Sequence, residues 1–257
     1  MSDTTDLRAL LESWPYDPDH EARLGPGADG REILQVRTPL GLEQHELEGR
    51  PDGLRPHGKD SALDFQFQQL AEARAAGREA DFKLSPGDCA ELFHEGTLFY
   101  FRYLRLFQLQ DWPRTIRDTA RNLRLFDFAN RYAARAEDRL YLEQWRPYVM
   151  RVNAAASAMM DWEDNAHPRA LRTVNDAIER IEVLEDLDEE TFEFERERSL
   201  QALRELAAQI QKSLPVPEVQ RLEALLLRAI EDQAFERAAE LRDRLRALRA
   251  ASPAGKT

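Results

Sequence analysis

Apolar residues recur at helical spacing over most of this chain, and the pattern is clearest near its C-terminal end. One run carries Leu222, Leu225, Leu226, Ala229 and Ile230, and a second carries Ala238, Leu241, Leu245 and Leu248. Each run places one apolar stripe on a helix of about three to four turns, and the break between the runs falls at 231–234. Because helices that short are marginal in water, the segment is predicted to form an αα-hairpin. Its stripes must be buried against each other or against a partner.

The segment from 59 to 211 is predicted to be almost wholly helical. Asp60 is expected to cap a first helix over 61–76, which ends at Gly77. A second helix is predicted from Ser85-Pro86-Gly87-Asp88, which supplies a capping serine, a proline at the first helical position and an acid three residues after the serine. This second helix is apolar nearly all round, which is typical of a central core helix.

Two more helical segments follow. The break Asp111-Trp112-Pro113 starts a helix that is predicted to run to about Tyr132, and another helix is predicted over 140–162 with a bend near Pro147. Residues 149–182 also fit a helix–turn–helix with tetratricopeptide-repeat (TPR) spacing. Its packing positions are Ala158, Ala170, Val174 and Ala177, with His167 at the turn. A TPR-like pair and an ordinary helical bundle both remain open.

An acidic stretch and a coiled-coil seam precede the C-terminal hairpin. Residues 182–197 hold nine acids and one arginine, which is typical of a solvated helix face or a linker. Leu200, Leu203, Ala207, Ile210 and Leu214 then repeat at spacings of 3, 4, 3 and 4, the seam of a coiled coil. Pro215-Val216-Pro217 is expected to stop that helix and to act as a stiff hinge.

The first 58 residues differ in amino-acid composition from the rest of the chain, since they hold seven of the 11 glycines and six of the 13 prolines. A short helix is predicted over 6–14, and strands are predicted over 30–37 and 42–47 around a Pro-Gly-containing turn. A lone β-hairpin is barely stable in water, so it must pack on the helical part or pair with another chain. The glycines at 25, 27 and 30 do not form a phosphate-binding loop, because they do not follow a strand and open a helix.

The fold class predicted from these elements is mainly α. We expect a helical bundle with TPR-like helix pairs, a small N-terminal β-hairpin and a C-terminal helical hairpin. The predicted divisions are an N-terminal module at 1–58, a helical core at 59–185, an acidic coiled-coil helix at 186–214, the helical hairpin at 215–250 and a disordered tail at 251–257.

Composition narrows the classes of function. The net charge of −12 disfavours nucleic-acid binding, which needs concentrated positive charge. No apolar run of about 18 residues occurs, so no membrane-spanning helix and no membrane partner are expected. One cysteine excludes an intramolecular disulfide, and the N-terminal residues lack a basic and apolar signal segment. Together these features favour a cytoplasmic location.

The sequence contains one candidate binding surface and no pattern that predicts an active site. Arg114, Arg117, Arg121 and Arg124 recur at spacings of three and four, so they form a stripe that faces either an anionic partner or nearby carboxylates of this chain. The histidines do not form a metal-ligand pair at helical spacing, and nucleophile and phosphate-binding motifs are missing. Cys89 lies on the aromatic-rich helix and is expected to be a buried structural thiol. We therefore predict no catalytic residue, no metal and no cofactor.

The C-terminal hairpin resembles a known interaction motif. The run Phe235-Glu236-Arg237-Ala238-Ala239-Glu240-Leu241-Arg242-Asp243-Arg244-Leu245 is preceded at the expected offsets by Leu222-Glu223 and Ala229. This segment is similar to the UVR motif of the excision-repair proteins UvrB and UvrC, of the chaperone adaptor McsA and of ClpC-type unfoldases. The resemblance of the hairpin covers about a tenth of the chain. The turn run from Leu40 to Gly58 also resembles the N-terminal segment of bacterial proteins that end in a UVR motif.

The resemblance implies protein–protein pairing, commonly hairpin against hairpin. The residues predicted to make the contact are Leu222, Leu226, Ala229, Phe235, Ala238, Leu241, Arg242, Asp243 and Leu245. Phe235 is expected to cap the apolar seam between the two helices, and Ala238 with Ala239 keeps that face thin enough for a close approach.

The function predicted is that of a non-catalytic adaptor or scaffold. Its partner would be another protein bound through the hairpin, either a UVR-containing protein or a second copy of this chain. One alternative is an accessory factor of nucleotide excision repair that pairs with UvrB or UvrC. A second alternative is an enzyme that uses a pocket in the aromatic helical core. A further alternative for the hairpin itself is a purely structural role, packed on its own domain.

Overall fold

The computed structural model describes residues 6–214 and 218–251. The chain divides into two compact units, one ending at Gln211 and the other beginning at Lys212. The predicted hinge at 215–217 and residues 252–257 of the predicted disordered tail lie outside the described residues, whereas Ala251 is the last residue of a helix.

The N-terminal part of the first unit is a three-stranded antiparallel sheet. After helix α1 (Arg8–Ser13) come strands β1 (Ala22–Pro26), β2 (Glu32–Thr38) and β3 (Gly41–Glu46), paired in that order. The predicted hairpin corresponds to β2 and β3, and the prediction missed β1. That strand contains a glycine, which weakens the strand signal, and ends in proline, which is tolerated here because β1 is an edge strand.

The sheet packs on the helices through one face. Leu34 and Val36 of β2 are fully buried together with Leu47 and Leu106. Because successive residues of a strand point to opposite faces, the residues 34 and 36 define the inner face of the sheet. The sheet therefore gains from the helical part the apolar contact that a free hairpin lacks.

Three helices form the first part of the helical core: α2 (Ala62–Ala75), α3 (Pro86–Gln108) and α4 (Trp112–Tyr132). The predicted cap at Asp60 is wrong, because the N-cap of α2 is Ser61, whose Oγ accepts a hydrogen bond from the backbone N–H of Asp64 at 3.1 Å. The capping box that starts α3 is confirmed. Ser85 Oγ accepts from the Asp88 N–H at 3.2 Å, and the Asp88 carboxylate accepts from the Ser85 N–H at 2.8 Å.

The prediction of one long helix over 140–162 is wrong. The structure has a short helix α5 (Ala136–Leu140), a 3-10 turn (Glu143–Trp145) and then α6 (Arg146–Glu163). Pro147 lies in the first turn of α6, where a missing backbone N–H removes no helical hydrogen bond. The proline therefore starts a helix here and does not bend one.

Helices α7 (His167–Glu182) and α8 (Glu190–Ser213) complete the core with α6. Ala158 of α6, Ala170 of α7 and Leu203 of α8 are buried in one cluster with Ile210. The predicted seam of α8 thus faces apolar residues of its own chain. A coiled coil with another chain and the TPR-like character of the α6–α7 pair stay predictions.

The second unit is a helical hairpin, as predicted. Helix α9 (Glu218–Glu231) packs against α10 (Phe235–Ala251), and the break between them falls where the apolar pattern places it. Among the described residues, the apolar stretches of the helices are too short to cross a membrane.

Candidate protein-interaction hairpin

The seam between α9 and α10 is formed by four buried residues. Leu222 and Ala229 lie seven residues apart on α9, and Ala238 and Leu245 lie seven apart on α10. A spacing of seven residues returns to the same face of a helix, so each pair marks the side that faces the other helix. The two alanines allow a close approach, and the two leucines supply the larger apolar contact. These four of the nine predicted contact residues therefore hold the hairpin together.

The reversal between the helices is fixed by local hydrogen bonds. The backbone N–H of Ala234 donates to the Ala229 carbonyl at 2.8 Å, and that of Gln233 donates to the Ile230 carbonyl at 3.1 Å. Gln233 has a φ of 57°, in the left-handed region that commonly ends a helix. The chain can then start α10 directly at Phe235.

Three large apolar side chains of the hairpin are turned towards solvent. Leu227 is 63% exposed, Ile230 is 50% exposed and Phe235 is 70% exposed. The expectation that Phe235 caps the seam is therefore wrong: the ring stands outside it. We name Leu227, Ile230 and Phe235 the exposed apolar set. The sequence prediction of the contact residues included Phe235 but not the two α9 residues.

The remaining predicted contact residues lie at the margin of the seam or outside it. Leu226 and Leu241 are half-buried. Arg242 and Asp243 are exposed neighbours, and the guanidinium Nε of Arg242 donates to the Asp243 carboxylate at 3.3 Å. The nine residues are thus divided between a closed seam and an accessible surface.

The predicted arginine stripe lies on α4, and three of its four members contact carboxylates of this chain. Arg114 pairs with Asp111 at 2.7 Å and with Glu32 at 2.8 Å. Arg117 pairs with Glu48 at 3.0 Å, and Arg121 pairs with Glu95. Arg124 is exposed. The pairs with Glu32 and Glu48 join α4 to the sheet and to the turn after it, and the pair with Glu95 joins α4 to α3.

Sequence reasoning missed a buried polar cluster beneath this stripe. Glu95 of α3 is fully buried, and its carboxylate accepts hydrogen bonds from the backbone N–H groups of Ala62 at 2.6 Å and Leu63 at 3.1 Å. Arg102 donates to the Asp118 carboxylate at 2.6 and 2.9 Å and to the Glu46 carbonyl at 2.7 Å. A carboxylate at a helix N-terminus satisfies free N–H groups and the helix dipole. The cluster therefore joins β3, α2, α3 and α4.

Cys89 is expected from the sequence to be a buried thiol. Cys89 is fully buried, and burial raises the pKa of its thiol to about 11. A thiol that stays protonated is a poor nucleophile. Among the described residues, His, Cys, Asp and Glu side chains do not gather in a group that could hold a metal ion. The aromatic core does contain a cleft of about 600 Å³, whose lining residues all belong to the first unit.

These features define a mainly helical protein whose C-terminal unit is a short helical hairpin with exposed apolar residues. The hairpin matches the family model described as the UvrB/uvrC motif over residues 218–251. The chain is therefore a UVR-motif-containing protein, and the motif is a non-catalytic interaction motif. Neither the curated proteins nor the solved structures contain a match to this chain.

Proposed function

We propose that this chain is a non-catalytic adaptor or scaffold that docks on another protein through the hairpin α9–α10. The observation that carries the proposal is the exposed apolar set, Leu227, Ile230 and Phe235, on a unit already closed by its own seam. Fully burying a large apolar side chain contributes about 1.5–3 kcal/mol. Burying three such side chains would make a substantial favourable contribution to the free energy of binding a partner.

The partner that best fits this surface is a second helical hairpin of the same kind. Residues 218–249 hold seven acids and seven arginines, so the hairpin has no net charge to repel a copy of itself. Charges of both signs around an apolar centre set the register of a helical interface more than its strength. A UVR hairpin of another protein and a second copy of this chain are the two forms of this partner.

A second candidate function is an accessory role in nucleotide excision repair, with UvrB or UvrC as the partner. The motif match supports it, because that motif takes its name from those two proteins. The two candidates differ in the identity of the bound protein and in whether its recovery depends on DNA damage.

The test is a pull-down from native bacterial lysate with the full chain, with the variants Ile230→Asp and Phe235→Asp, and with a chain truncated after Pro215. Val183→Asp is the matched control, because Val183 is an apolar residue of the first unit that is even more exposed, at 79%. A charge on the exposed apolar set is expected to abolish capture of the partner, whereas the control keeps it. Light scattering on the same variants reports pairing of the chain with itself.

Two results would contradict the proposal. The first is that the full chain and the truncated chain recover the same proteins and also show the same self-association. The other is a loss of helical circular dichroism in Ile230→Asp or Phe235→Asp equal to that of the truncation, since the hairpin would then have unfolded. In the first case the hairpin has a structural role only.

A further inference from the structure

The cleft in the aromatic core has the dimensions of a small-molecule site. Its volume is about 600 Å³, within the usual range for ligand pockets. The floor is made by buried residues, among them Tyr103, Asn122 and Phe126. The rim includes Tyr141 and Trp145, which are 53% and 43% exposed. A molecule can therefore enter from solvent and reach a closed interior.

Most of the residues that line the cleft away from Glu195 and Arg198 are aromatic. Phe93 and Tyr141 stack with ring centroids 4.7 Å apart, and Tyr100 makes an edge contact with Tyr103 at 5.6 Å. Burial raises the pKa of Tyr148 to about 12, so that phenol is neutral at physiological pH. Aromatic faces prefer offset stacking on, or edge contact with, another ring. The walls thus favour a planar aromatic ligand.

One end of the cleft carries a carboxylate that lacks a hydrogen-bond partner. Glu195 of α8 is 6% exposed, and its Oε2 is buried without a hydrogen bond. The nearest guanidinium groups are those of Arg151, 3.9 Å from Oε2, and Arg198, 3.8 Å from Oε1. Both distances exceed hydrogen-bonding length. A buried acceptor without a hydrogen-bond partner is unfavourable, so a ligand that donates to this carboxylate would be favoured.

The charges at this end select the kind of ligand. One carboxylate faces two guanidinium groups, so the local charge is positive and does not favour a cation. A purely anionic ligand would place its charge beside Glu195. A neutral ring that carries an N–H donor next to a carbonyl acceptor satisfies both the carboxylate and a guanidinium.

We propose that this cleft binds a free, neutral heteroaromatic molecule with a lactam edge, the ring chemistry of hypoxanthine and uracil. Its ring N–H donates to the Glu195 carboxylate, its carbonyl accepts from Arg198, and its plane lies among the aromatic walls. The site is independent of the hairpin, so it would add a ligand to the proposed adaptor function without replacing it.

The experiment is calorimetric titration of the full chain with inosine and with uridine. Inosine is expected to bind with a Kd below about 1 mM, and 1-methylinosine, which lacks the N–H donor, is expected to bind at least tenfold more weakly. Glu195→Met removes the acceptor at similar size and should weaken inosine at least tenfold. Glu193→Met, an exposed position on the same helix, is the matched control and should leave binding unchanged.

The outcomes separate this proposal from its rivals. Failure of both inosine and uridine to bind, or equal binding of inosine and 1-methylinosine, would overturn it. Equal binding of inosine by Glu195→Met would also overturn it, because the proposed contact with the carboxylate would then be absent. A short oligouridylate that binds more tightly than uridine would assign the cleft to a base of RNA and exclude a free molecule as its occupant. Phe235→Asp should bind inosine as the unchanged chain does, so failure of the docking model leaves this test intact.

Discussion

At the scale of single residues, the most consequential side chain is Glu95. It is fully buried, and it holds the N-terminus of α2 while pairing with Arg121. Removing one member of a buried ion pair leaves an uncompensated charge and costs about 3–5 kcal/mol. We therefore expect Glu95→Ala to lower the free energy of unfolding by that amount in urea titrations.

Glu91 supplies the control for this measurement. It lies one turn earlier on α3 and pairs with His57 at 3.2 Å, with a third of its side chain exposed. Exposed pairs contribute about 0–1 kcal/mol, so Glu91→Ala should be nearly neutral. Similar losses for the two variants would show that the Glu95 contacts do not organise the core.

A second residue, His45, predicts a pH dependence of stability. Burial lowers its pKa below the ordinary value, although Glu43 at 3.6 Å opposes the shift. The unfolded chain therefore takes up this proton at higher pH than the folded chain does. The contribution of His45 to the free energy of unfolding is therefore fully present above about pH 6.5. It decreases as the pH falls from that value to the pKa of His45 in the folded chain.

The test compares unfolding free energies at about pH 7.5 and about pH 5.5 for the unchanged chain and for His45→Gln. The unchanged chain is expected to lose more stability on acidification than the variant does, because only the former binds an extra proton on unfolding. An equal loss in both would mean that His45 titrates alike in the folded and unfolded states.

At the scale of elements, the close contact of α6 with α7 depends on small residues. Ala158 and Ala170 are fully buried within one apolar cluster. Adding three carbons to a filled interior forces strain that costs about 1–3 kcal/mol. Ala158→Leu is expected to destabilise the chain by that amount in urea, whereas Ala90→Leu, at an exposed position of α3, should change stability by less than about 0.5 kcal/mol. A neutral Ala158→Leu would mean that these helices are loosely packed.

The elements that the sequence predicts well are those whose signals are local. The capping box at Ser85 and the reversal before Phe235 involve residues within a few positions of each other, so they are readable without a fold. The start of α6 was missed because apolar periodicity continues from residue 140 into the helix, and only the three-dimensional path shows the turn at 143–145.

The candidate sites depend on distant partners, and this limits their prediction. Glu95 contacts backbone groups 33 and 32 positions earlier in the chain, and Arg102 contacts a carbonyl 56 positions away. The exposed apolar set was only partly predicted because Ile230 belongs to the same periodic stripe as Ala229. Which flank of that stripe faces α10 is decided by the pairing of the two helices.

At the scale of the whole molecule, the two units are expected to unfold independently. The apolar clusters identified in the first unit draw their buried members from residues no later than Ile210. All four tryptophans, at positions 14, 112, 145 and 162, also lie in that unit. Tryptophan fluorescence therefore reports the unfolding of the first unit alone, whether or not the hairpin is present.

Deleting the hairpin therefore tests whether the first unit unfolds independently of the second. A chain ending at Ser213 is expected to show the same urea midpoint and slope by fluorescence as the full chain, within about 0.5 kcal/mol in unfolding free energy, because the slope follows the surface exposed by the reporting unit. Far-ultraviolet circular dichroism should lose only the helical signal of α9 and α10. Val183→Asp in the full chain controls for a general effect of altering the apolar surface. A loss of more than about 1 kcal/mol on deletion would show that the hairpin supports the core, which is the outcome that a purely structural role requires.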